Sequence, residues 1–95
     1  MNAVVRNGCC EIRGGAGKPR VTLPPMNIDE AILHRDHVAV VLRNGYCQLY
    51  NTEGKLVTTY AKFVRFVGDD QLAIHRRNGR VEIHDFTGRL VRVSA

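Results

Sequence analysis

The tripeptide Arg-Asn-Gly occurs three times, at Arg6-Asn7-Gly8, Arg43-Asn44-Gly45 and Arg77-Asn78-Gly79. Asn-Gly flanked by apolar runs is the strongest short hairpin signal, because a type I′ turn needs φ > 0 at both central residues. The repetition extends beyond the turns. Asn44 and Asn78 lie 34 residues apart, and at that offset Ile32–Val57 aligns with Phe66–Val91 without a gap. Shared positions include Asp36/Asp70, Ala39/Ala73, the triplet, Gly54/Gly88, Leu56/Leu90 and Val57/Val91. Asn7 and Asn44 lie 37 apart, and there Ala3–Lys18 aligns with Val40–Lys55, sharing the triplet, Cys10/Cys47 and a closing Gly-Lys. The three extra residues sit around Leu23-Pro24-Pro25, a loop by composition. One unit, copied along the chain, is therefore the strongest constraint on the fold.

Each copy reads strand, Asn-Gly turn, strand, second turn, strand. The second turns are Asn51-Thr52-Glu53-Gly54 and Asp85-Phe86-Thr87-Gly88, where Asn or Asp caps its own backbone and Gly closes at φ > 0. In the first copy this turn becomes Gly14-Gly15-Ala16-Gly17, which is expected to be looser. Before each of the later hairpins lies a fourth segment. Phe63–Val67 is β in preference. At 27–34 the alignment favours a strand, while Asn27-x-x-Glu30 is a capping-box pattern suited to a short helix; the strand is preferred. The expectation is an all-β chain with repeats at about 1–23, 27–60 and 61–95 in a single domain, 1–95.

Period-2 alternation then assigns faces. With Asn-Gly as a two-residue loop, the second copy pairs Arg43–Tyr46, Leu42–Cys47, Val41–Gln48, Val40–Leu49 and Ala39–Tyr50. The third pairs Arg77–Arg80, Arg76–Val81, His75–Glu82, Ile74–Ile83 and Ala73–His84. The first pairs Arg6–Cys9, Val5–Cys10, Val4–Glu11 and Ala3–Ile12. One face is then apolar in all copies: Ala3, Val5, Cys10 and Ile12; Val38, Val40, Leu42, Cys47 and Leu49; Leu72, Ile74, Val81 and Ile83. A slip of one residue is expected to turn these side chains into water.

A strand-rich unit with an x-Gly hairpin and an Asp-x-x-Gly-[Lys/Arg] turn resembles a β-propeller blade. Val81–Arg89 is similar to the closing stretch of a WD-type or quinoprotein-type blade, with His84 where the WD pair has Trp. The resemblance covers about two and a half units. It implies blades that bury their faces by stacking on neighbours and that leave sheet edges bare. A homo-oligomer completing the stack is one expectation; a small barrel or sandwich of three related hairpins is the alternative.

The bulk numbers fit such a chain. Hydrophobic residues make up 44% and charged residues 24%, a globular balance with room for one domain. Arg6 follows at once on Met1–Val5, so no secretory apolar region is seen, and no run approaches a bilayer span. Three cysteines, two of them adjacent, do not make a disulfide framework. A cytoplasmic protein with no membrane partner is expected. The net charge of +5 permits a polyanion partner.

Catalytic chemistry finds little support. Ser94 is the only serine. Gly14-Gly15-Ala16-Gly17-Lys18 lacks the P-loop spacing, with Ile12 where a glycine is needed and Pro19 in place of Ser or Thr. His34-x-x-His37 with Asp36, and Cys9, Cys10 and Cys47, offer metal donors without a zinc-site spacing. No enzyme, cofactor or metal is expected. The polar face carries Arg43, Tyr46, Tyr50, His75, Arg77, Arg80 and His84 as candidate binding residues. Like charges at Arg77 and Arg80, placed opposite one another, invite an anion. Rings interleaved with cations also suit single-stranded nucleic acid. The reading is a non-enzymatic protein-interaction or self-assembly module, binding a protein partner or copies of itself, with nucleic-acid binding through the Arg/Tyr/His face as the alternative.

Overall fold

The computed structural model describes residues 2–14 and 19–94. Of the looser turn expected at Gly14-Gly15-Ala16-Gly17, all but Gly14 lies outside the described residues. Among them the chain is all β, in three antiparallel meanders. The first sheet contains β1 (Asn2–Arg6), β2 (Cys9–Arg13) and β3 (Pro19–Thr22). The second contains β4 (Ile28–His34), β5 (His37–Leu42), β6 (Cys47–Asn51) and β7 (Leu56–Tyr60). The third contains β8 (Lys62–Val67), β9 (Gln71–His75), β10 (Val81–Asp85) and β11 (Leu90–Val93). Strand order follows chain order in each sheet.

Residues 28–34 form a strand and not a helix. Ala31 pairs with Val40 and Leu33 with Val38, and Ile28 is buried in the core. Pairing and burial outweigh a capping pattern that has no helix behind it. The second turns form as their chemistry predicts. Asn51 Oδ1 accepts from the N–H groups of Glu53 and Lys55, each at 3.0 Å. Asp85 Oδ1 accepts from Thr87 N–H, Thr87 Oγ1–H and Arg89 N–H. Gly54 and Gly88 then sit at φ 87° and 90°.

The Asn-Gly hairpins are not three copies of one turn. In the first sheet Asn7 and Gly8 both have positive φ (54° and 79°), a type I′ loop, and the pairs Val5–Cys10 and Ala3–Ile12 form as expected. In the Asn-Gly turns of the second and third sheets only the glycine, Gly45 or Gly79, has positive φ, and the Asn does not. Gly45 N–H donates to Leu42 O at 2.9 Å, and Leu42 N–H donates to Tyr46 O at 2.8 Å. Gly79 N–H donates to Arg76 O, and Arg76 N–H to Arg80 O. Arg-Asn-Gly is thus a three-residue loop, a type I turn closed by a left-handed glycine. Asn44 Oδ1 caps Tyr46 N–H and Asn78 Oδ1 caps Arg80 N–H, which holds this geometry.

The extra loop residue moves the register by one. Ala39 faces Leu49, Val40 faces Gln48 and Val41 faces Cys47. Ala73 faces Ile83, Ile74 faces Glu82 and His75 faces Val81. The expected pairs Val40–Leu49, Ile74–Ile83 and His75–Glu82 therefore do not form. Arg77 is a loop residue and does not oppose Arg80 across a ladder.

The slip does not put the apolar residues in water, because the middle sheet is covered on both faces. Val38, Val40, Leu42 and Tyr50 pack with Cys10, Ile12 and Leu23 of the first sheet and the loop that follows it. Ala39, Cys47, Leu49 and Tyr60 pack with Leu72 and Ile74 of the third. The greasy positions are as expected; the single shared greasy face is replaced by a stack. Polar contacts lock the second seam. Tyr60 Oη–H donates to Asp85 O at 2.6 Å and Thr58 Oγ1–H to Phe86 O at 2.8 Å. His34 stacks on Phe66, and His37 packs against Phe86.

Candidate interaction surface

In a meander the hairpins joining the two middle strands open at the same end as the connection to the next sheet. The turns at Asn44 and Asn78 and the β7–β8 connection therefore converge. They wall a groove of about 800 Å³ lined by Asn44, Gly45, Tyr46, Ala61, Lys62, His75, Arg76, Arg77, Asn78 and Glu82. Of the residues that sequence reasoning selected, the structure brings Tyr46, His75 and Arg77 together here, all exposed. Arg43 and Arg80 are exposed on the flanking hairpins but do not line the groove.

Tyr50 and His84 are not surface residues. They are 3% and 6% exposed. With the register moved by one, they point into the seams on which their sheets stack. Tyr50 Oη–H donates to Gln48 Oε1 at 2.7 Å, and burial pushes its phenol up. His84 lies edge-on to Tyr60, with Nδ1 3.1 Å from Gly88 O and Nε2 3.0 Å from Glu82 Oε1. The position matched to the Trp of the WD pair is thus filled by a buried imidazole.

Glu82 also takes Arg76 Nε–H at 2.8 Å. The hydrogen bonds from His84 and then from Arg76 hold its carboxyl below the usual glutamate value. The one acidic group of the groove is therefore already engaged. Among the described residues neither Lys62 nor Arg77 has an ion-pair partner. Sequence reasoning missed Lys62, Arg76, Asn44 and Asn78. The signal was available: Asn44 and Asn78 lie within an Arg-Asn-Gly loop, Arg76 flanks one and Lys62 follows the last strand of a copy, and those positions share one end of every meander.

A second exposed feature lies on the rim. Leu56 and Val57 of β7, and Leu90 and Val91 of β11, occupy matching positions in two copies and stay in water, with Leu56 53% and Leu90 49% exposed. Both strands are the outer edges of their sheets. Core packing does not explain why the same Leu-Val pair stands there twice.

Metal chemistry gains no geometric support. His34 Nε2 is taken up by Gly68 O and His37 Nδ1 by Asp36 Oδ1. Among the described residues no group of three or more His, Cys, Asp or Glu is placed to hold an ion. Cys10 and Cys47 are buried, and burial pushes the Cys47 thiol up to about 12. Among the described residues no helix is long and apolar enough to cross a membrane.

No protein-family model matches the chain, and no curated protein resembles it in sequence. Among solved structures, the crystal structure of BamB from Moraxella catarrhalis superposes with a TM-score of 0.69. The match has 19% identity and covers 93% of this chain and 31% of that one. The fold is that of β-propeller blades. The small barrel or sandwich of three hairpins is set aside by the stacked sheets. The chain spans about a third of the length of the BamB chain it matches.

Proposed function

We propose that the chain is a non-enzymatic protein-interaction module that associates with copies of itself through the blade rim. The observation that supports this reading is the Leu-Val pair exposed at the same place on two consecutive edge strands, β7 and β11. An edge strand offers unpaired N–H and C=O groups, and apolar side chains beside them favour addition of another strand. Large apolar side chains left in water on two edge strands are candidates for such contacts. The experiment is light scattering on the full chain over a range of concentrations. The expected mass exceeds 10.6 kDa and rises with concentration. Leu56→Thr with Leu90→Thr keeps the β preference of both strands and is expected to lower the mass. A clean 10.6 kDa species at every concentration, unchanged by the variant, removes self-association.

A further inference from the structure

We propose that the groove between the Asn-Gly hairpins of the second and third sheets binds an acidic peptide segment of a partner protein. The proposal rests on reading the chain as a protein-interaction module, but it concerns a surface separate from the rim. The groove is cationic in a specific way. Lys62, Arg76 and Arg77 carry three positive charges against the one negative charge of Glu82, which Arg76 and His84 already occupy. Lys62 opens β8 and its side chain lies beside Gly45 of the second sheet's hairpin, whereas Arg77 belongs to the third sheet's hairpin, and among the described residues the only carboxylate lining the groove is the engaged Glu82. Two such cations lining one open groove suit side-chain carboxylates presented along an extended chain. Arg and Lys give their strongest hydrogen bonds to such groups. Tyr46, exposed on the same groove, offers a ring face to an apolar or aromatic neighbour of those acids.

The structure favours peptide over nucleic acid as the anion. Stacking of successive bases needs a series of exposed rings. Tyr50 and His84, which would continue the series from Tyr46, are buried and hydrogen-bonded within the stack. Tyr46, the His75 imidazole and two uncommitted cations match a short acidic and aromatic peptide better than a phosphate every nucleotide.

The test is fluorescence anisotropy with a labelled peptide of alternating glutamate and phenylalanine, the same peptide with glutamine for glutamate, and single-stranded oligo-dT. The glutamate peptide is expected to bind, and to weaken as salt rises from about 50 to about 300 mM, where the screening length shortens by a factor of about 2.4. The glutamine peptide and oligo-dT are expected to bind at least tenfold more weakly. Lys62→Gln and Arg77→Gln should each cost about tenfold, the value of one charge-assisted hydrogen bond. Both side chains are exposed, and an unchanged melting temperature shows that folding is intact. Leu56→Thr with Leu90→Thr should leave peptide affinity alone, which separates failure of the groove from failure of the rim. Equal binding of the glutamine peptide, tighter binding of oligo-dT, or unchanged affinity in both Gln variants overturns the proposal.

Discussion

Val40 and Leu49 offer a decisive pair of perturbations. Both are fully buried, but they serve different seams: Val40 packs with the first sheet and Leu49 with the third. Truncating a fully buried Leu to Ala removes its transfer free energy and leaves a cavity, at a cost of about 3 kcal/mol; Val→Ala should cost about 2 kcal/mol. A domain of this size has a total stability of about 5–15 kcal/mol, so both single variants remain folded. Guanidinium unfolding followed by circular dichroism reads each loss as a shift in midpoint at constant slope. The informative quantity is the coupling in the double variant. Side chains on opposite faces share no cavity, so the two losses should add to within about 0.5 kcal/mol. In the register with Val40 directly opposite Leu49, they would touch across the strand pair. The coupling would then fall in the range of about 0.5–3 kcal/mol for neighbours. A coupling above about 1 kcal/mol, or a cost below about 1 kcal/mol for either single change, would refute the two-faced middle sheet.

Three further outcomes follow from the seams. Tyr60→Phe removes the bond to Asp85 O, whose oxygen still accepts from Gly88 N–H, so the loss should be about 1 kcal/mol by chemical denaturation. Stability should fall on acidification. The carboxyls of Glu82 (bonded by His84 and Arg76) and Asp85 (bonded by Thr87) are held below their unfolded values. Such groups stabilise the fold above the unfolded value, and that contribution is lost as pH drops through the folded value. Melting temperatures should therefore decline below pH of about 5, with a shallower decline in Glu82→Gln. Finally, the Cys47 thiol, pushed up to about 12 by burial, should resist a thiol reagent in the native state and react only on unfolding. Prompt native-state labelling at Cys47 would contradict the seam on the Leu49 side.

The turns divide what the sequence could say from what it could not. Asn51 and Asp85 dictate their turns because a side-chain oxygen caps backbone N–H groups two and four residues on, and that chemistry is local. Arg-Asn-Gly is locally ambiguous. Asn-Gly fits a two-residue type I′ loop, and Gly alone fits a three-residue loop; both occur in this chain. In the first sheet, Gly8 lies under the Met26 carbonyl and its own carbonyl accepts from Ile28 N–H, so the connection to the next sheet holds the tighter turn. Periodicity could not arbitrate either. Alternation identifies one greasy face, whereas Val38-Ala39-Val40 is buried at every residue, the mark of a strand covered on both sides.

The candidate site inherits that ambiguity. Moving the register by one residue took Tyr50 and His84 off the surface and left Tyr46, His75 and Arg77 on the groove. Arg76, which the expected pairing set opposite Val81 of the apolar face, becomes intelligible as the partner of Glu82. Lys62 could be placed only once the connection between sheets was known to share an end with the hairpins. The exposed Leu56 and Leu90 were visible as repeat identities, but their exposure depends on β7 and β11 being the outer strands.

Methyl NOE spectroscopy tests the stacked-sheet account most directly. In stacked sheets Val40 methyls contact Ile12 and Leu49 methyls contact Leu72 or Ile74, with no partner shared between the two sets. Val40 and Leu49 contacting each other and a common set of neighbours would contradict it.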